Sequence, residues 1–132
     1  MAWIDWTPDL AVDIPEIDHD HKKMLEHLNV LFAASMAGVG DEMLDEVFKM
    51  FRKLASEHFE RETAVMSSMG CAEAGSHHGK HDVLLAELDA LEAQAMAASG
   101  SGFSIDVVTK LRSWLQENIA EDVRIFRQAK IG

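Results

Sequence analysis

Apolar positions recur along this chain every three or four residues in four separate stretches, the spacing that gives a helix one buried face. The first stretch predicts a helix from about Asp18 to Ala37, with Ile17, His21, Met24, Leu25, Leu28, Leu31 and Phe32 on its inner line. Gly38-Val39-Gly40-Asp41 ends it and opens the next. The second, about Asp41 to Ser68, turns inward Leu44, Val47, Phe51, Leu54, Ala55, His58, Glu62, Val65, Met66 and Met69. After a turn around Gly70 to Gly75, a third helix over about 72–98 carries His77, His81, Leu84, Leu88, Leu91 and Ala95 on its inner line. Ser99-Gly100-Ser101-Gly102 reads as a loop. A fourth helix over about 103–129 buries Val107, Val108, Leu111, Trp114, Leu115, Ile119 and Phe126. No stretch carries a strand signal.

Four helices with short connections imply an all-α, antiparallel up-down-up-down four-helix bundle. The 132 residues suit one domain, 1–132, with residues 1–16 as an N-terminal arm. Pro8 and Pro15 disfavour a long helix there, and the arm is expected to lay Trp3 and Trp6 over the bundle. Asp18 is a candidate cap for the first helix.

Composition narrows the function. A net charge of −11 argues against nucleic acid, whose phosphates would be repelled. No apolar run approaches the roughly 20 residues of a membrane span, and the first residues lack the order of a signal peptide. With a single cysteine, Cys71, a reducing, cytoplasmic setting is expected. The eight methionines are read as core filling.

The unusual feature is polar residues on apolar lines. His58 and Glu62 are four apart, as are His77 and His81, so each pair projects from one face of its helix. His21 adds an arm from the first helix, whereas His19, Asp20, His27 and His78 fall off these lines. No Lys or Arg lies on the stripe that holds Glu62, and a buried carboxylate needs a partner. Imidazoles and a carboxylate aimed into one core suit a metal, and this donor set suits iron, manganese or zinc.

The chain resembles the bacterial hemerythrins. Their opening motif is matched by Trp6, Val12, Ile14, Ile17-Asp18, His21 and Asn29. Their H-F-x-x-E-x-x-x-M is His58-Phe59 through Glu62 and Met66, and their M-G-x(6)-H-x-x-x-H is Met69-Gly70, His77 and His81. The resemblance implies two non-haem irons, bridged by carboxylates and an oxo or hydroxo oxygen. His21 and His58 would hold one; His77, His81 and a fourth-helix residue would hold the other, with Glu62 bridging. The iron with two imidazoles would keep an open position for dioxygen, behind an apolar wall for which Leu25, Phe59 and Trp114 are candidates.

The fourth helix departs from the family's W-L-x-x-H-I-x(3)-D, in which the Asp follows the His by five residues. Trp114, Leu115 and Ile119 in register put Asn118 at the His position and Val123 at the Asp position. Spacing counted back from Asp122 puts Glu117 at the His position instead. Asp122 is the preferred bridge, and Glu117 the preferred replacement for the missing imidazole, over Asn118 or water. Such a centre is expected to bind or reduce dioxygen or peroxide. The alternative is a non-catalytic oxygen-, redox- or iron-sensing module, or an iron-holding one, acting on a partner in trans, since 132 residues leave no room for an output domain. The sequence shows neither the partner nor the reductant.

Overall fold

A computed structural model describes residues 4–38, 40–71, 74–97 and 105–131, the side chains of 41, 74–78, 97, 105, 130 and 131 excepted. Four helices, α1 (Pro15–Met36), α2 (Asp41–Ser68), α3 (Ala74–Ala97) and α4 (Ile105–Ile131), form an antiparallel bundle. Each packs on the next, and α4 closes back onto α1. The expected loop at 99–102 and Trp3 lie outside the described residues.

Helix ends follow local chemistry. α1 starts earlier than the apolar pattern predicts, because Pro15 occupies its first position, where a missing N–H costs nothing. Asp18 is therefore inside the helix, and its carboxylate reaches back to accept from Val12 N at 2.9 Å and Asp13 N at 3.1 Å. At the end of α2, Gly70 takes φ +66°, a conformation glycine adopts without strain. Gly70 N donates to Ser67 O and Cys71 N to Met66 O, closing the last turn. Cys71 then packs against the apolar cluster of Val12, Ile17, Met66, Ile125 and Phe126, which gives it a structural place.

The arm is tied down by several bonds. Ile4 N donates to Asn29 Oδ1 at 2.9 Å, and Asn29 Nδ2 donates to Ile4 O at 2.7 Å. Trp6 packs against the core with Lys22 Nζ 4.2 Å from its ring centre. Arg127 donates to the carbonyls of Asp9 and Ala11 from the far end of α4.

Inside, two apolar clusters stand end to end. The larger is built on Leu25, Leu28, Leu31, Phe48, Phe51, Leu88, Leu111 and Leu115; the smaller on Val12, Ile17, Met66, Ile125 and Phe126. Phe48, which the sequence reading left off the inner line, is fully buried, while Met69, placed on that line, is 38% exposed. Between members of the two clusters in chain order lie His21 on α1, Glu62 on α2 and Asp122 on α4, with His58 one turn before Glu62. No described helix is long and apolar enough to cross a membrane.

Candidate metal centre

Each residue of this polar layer is placed by helical spacing. His58 and Glu62, one turn apart on α2, meet at 2.8 Å between Nε2 and Oε2. From the neighbouring helices, Asp122 Oδ2 lies 2.8 Å from His21 Nε2 and 3.0 Å from His58 Nε2. His21, His58 and Asp122 thus bring three ligand atoms within 4.8 Å of one another. All are buried, and Glu62 is 0% exposed. Glu62 also faces α3, with His81 Nε2 3.5 Å from its Oε1.

The outer nitrogens explain which ring edge points inward. His58 Nδ1 lies 3.1 Å from Asp20 Oδ2, and Arg61 grips the same carboxylate at two points, each 2.9 Å. A carboxylate on Nδ1 fixes the proton there and leaves Nε2 as the donor toward the cluster. His81 Nδ1 lies 3.4 Å from Thr63 Oγ1, whose own proton goes to Phe59 O, so the ring donates from Nδ1. The His81 ring also stacks on Phe59, centroids 4.3 Å apart and 11° from parallel. The outer nitrogen of His21, Nδ1, is buried with no hydrogen-bond partner among the described residues, so its orientation is set from the cluster side.

Electrostatics favour positive charge in this layer. Burial, the largest single influence on His58, lowers its pKa, but bonds to Asp122, Asp20 and Glu62 outweigh it and raise the value well above 6.5. Asp20 is opposed by its own burial, yet His58 and Arg61 bring it down from 3.8 to about 2.

Of the residues expected at the site, the structure brings His21, His58, Glu62, His81 and Asp122 to this layer. His77 is on α3, but its side chain lies outside the described residues. Glu117 is not brought in: it is exposed, on the groove between α3 and α4. Glu117 lies five residues before the buried Asp122, about 140° around the helix from it. Asn118, four before Asp122, is half-buried and donates its Nδ2 to Trp114 O at 2.9 Å. Asp20, Arg61 and Thr63 were missed, and for Asp20 a signal existed. The line Ile17, Asp20, Met24, Leu28, Leu31 is as good an inner stripe as the one through His21, and all five are buried.

A family model described as the hemerythrin HHE cation binding domain matches residues 12–127. The chain belongs to the hemerythrin family. It is similar to a bacteriohemerythrin from Stenotrophomonas maltophilia, at 30% identity over 126 residues, covering 92% of this chain and 78% of that protein. It is also similar to one from Pseudomonas paraeruginosa, at 25% over 122 residues, with coverage of 92% and 78%. The residues present fit the cation such a hemerythrin domain implies. Buried carboxylates and imidazoles converge in an apolar core, where buried charge needs compensation by charge of opposite sign.

Proposed function

We propose that this hemerythrin domain is a non-haem di-iron protein that binds or reduces dioxygen or peroxide. The observation that carries the reading is the convergence of His21 Nε2, His58 Nε2 and Asp122 Oδ2 in a buried layer shared with Glu62. His21 and His58 would hold one iron, His77 and His81 the other, with Glu62 and Asp122 between them. Hard carboxylate and borderline imidazole donors suit iron, with zinc or manganese as the alternatives. When bound, the iron pair would supply the electrons that reduce oxygen.

The chain's own residues hold ligands in place and keep water out. Asp20 and Arg61 keep the His58 proton on Nδ1, and Thr63 does the same for His81. Phe59 and Trp114 meet edge to face, centroids 6.2 Å apart, and with the buried Leu25 they wall the layer with apolar surface. Such a wall excludes the bulk water and protons that promote oxidative loss of a bound oxygen ligand. The single Cys71 suits a reducing, cytoplasmic setting.

The test is iron analysis of protein expressed with iron supplied, then anaerobic reduction and mixing with oxygen. About two irons per chain and a visible spectral change on oxygen are expected. A His58→Ala variant that keeps its full iron, or a colourless and oxygen-silent native protein, overturns the reading.

A further inference from the structure

Two adjoining grooves, of about 400 and 410 Å³, lie between α3 and α4, and Glu87, Trp114 and Glu117 line both. The small side chains of Ala90 and Ser113 leave space there. Leu84 and Leu91 supply apolar wall, and Val83, on the same groove, is 61% exposed. Each groove falls in the size range of small-molecule sites, roughly 300–1,000 Å³.

The charges along these grooves are unevenly engaged. Lys80 is 3.7 Å from Glu121, which Arg124 also grips at 2.7 and 3.1 Å, and Lys110 is 3.2 Å from Asp106. Glu87 and Glu117, on the two facing helices, have no ion-pair or hydrogen-bond partner among the described residues. Trp114, which shares both grooves with them, is only 5% exposed. Its indole N–H is buried with no hydrogen-bond partner among the described residues. Phe51 and Phe59 meet its ring edge to face, at 5.9 and 6.2 Å between centroids, and neither can accept that proton. A buried donor left unpaired disfavours folding, so the groove gains from an acceptor brought by a ligand.

Two unengaged carboxylates beside an indole attract an organic cation, because the carboxylate charge and the ring quadrupole act in the same sense. They repel an anion, and two exposed carboxylates offer too few oxygens for a hard metal ion. The half-buried leucines suit an alkyl stem. We infer that the α3–α4 groove binds a small organic cation, held by Glu87 and Glu117 beside Trp114, with its stem along Leu84 and Leu91 and an acceptor oxygen on the indole N–H. This site is separate from the metal centre and does not depend on it.

The probe is N-acetylputrescine, which joins an ammonium group, a short alkyl stem and an amide carbonyl. It is titrated into the isotopically labelled, metal-free full chain and followed by nuclear magnetic resonance. Saturable shifts with a Kd on the order of 1 mM are expected at the Trp114 indole N–H and at the amides of 84–91 and 113–118. The double variant Glu87→Gln/Glu117→Gln should weaken binding by about three- to tenfold at low salt. Ala90→Leu, which fills the groove, should abolish binding while circular dichroism shows an intact helical fold. Uncharged N-butylacetamide, and butylammonium, which has no acceptor, should each bind at least about threefold more weakly. No saturable shift by about 10 mM, shifts centred elsewhere, or unchanged binding in the folded double variant overturns the site. N-butylacetamide binding as tightly as the probe overturns the preference for a cation. Butylammonium binding as tightly overturns the role of the indole N–H.

Discussion

Replacing Asp20 by asparagine removes one charge and almost no volume, so it isolates what that buried carboxylate does. In the native chain the carboxylate stands between His58 Nδ1 at 3.1 Å and the two-point grip of Arg61 at 2.9 Å. The fall of its pKa from 3.8 to about 2 corresponds to about 2 kcal/mol in favour of the ionised form at neutral pH. Arg61 is half-exposed and solvent screens its share, which leaves roughly 1–2 kcal/mol. Asp20→Asn should therefore lower the thermal midpoint of the metal-free protein by roughly 4–8 °C at pH 7. Because the folded value is depressed, this contribution is complete above 3.8 and is lost as pH falls through about 2. The gap between variant and native protein should close over that window.

Stability alone would not separate a positioning role from a structural one, so metal affinity is measured beside it. If Asp20 holds the His58 tautomer, Asp20→Asn should weaken zinc binding by about 10- to 100-fold in chelator competition. The same substitution in a His58→Ala background should cost little further affinity, because the ring it orients is gone. Unchanged zinc affinity in Asp20→Asn, together with the expected loss of stability, would refute the positioning role.

Two further outcomes follow from contacts away from the centre. Asp45 and Glu92 share a hydrogen bond between α2 and α3 that lowers the pKa of Asp45 and raises that of Glu92, burial adding to the rise. The Glu92 contribution is complete below 4.5 and is lost as pH rises through its raised folded value, so Glu92→Gln should stabilise the protein at pH 7 by about 0.5–1 kcal/mol. That gain should vanish in thermal melts as pH falls below 4.5; a gain independent of pH would contradict the shared proton. Asn29→Ala removes both bonds to Ile4, worth roughly 1–2 kcal/mol. Hydrogen exchange should show Ile4 unprotected while the α2 amides around Phe51 are unchanged, and uniform loss across the bundle would contradict a local role.

The helices were legible because long, strongly periodic stretches punctuated by glycine leave few alternatives, and the meeting of His58 with Glu62 was legible because spacing of four is a face. What failed was finer. Asp20 was set aside as off the inner line, although positions 17, 20 and 24 keep as good a period as 17, 21 and 24. A helix 3.6 residues to the turn buries a stripe wide enough for both 20 and 21. Glu117 was favoured for its family spacing to Asp122, and in the structure it is exposed while Asp122 is buried. Proline at the first position of α1 moved the helix start and turned Asp18 from a cap into an anchor for the arm. The arm's ties through Asn29 and Arg127 join residues far apart in sequence, and no local pattern announces them.

The buried layer is a point where folding and binding oppose each other until a cation enters. Glu62, Asp122 and Asp20 bring three carboxylates into a core whose neighbouring layers are apolar, which disfavours folding unless positive charge accompanies them. In the metal-free chain His58 meets part of that demand by holding a proton, which is why its pKa lies well above the ordinary range. A metal ion competes for the same position with greater charge, and the proton must leave Nε2 for it to bind. Metal affinity is thereby tied to pH. Binding the folded state alone then adds to stability as the logarithm of free metal over the dissociation constant. The apolar clusters on either side hold the four helices in register, so the cation meets donors already positioned and does not have to organise the bundle itself.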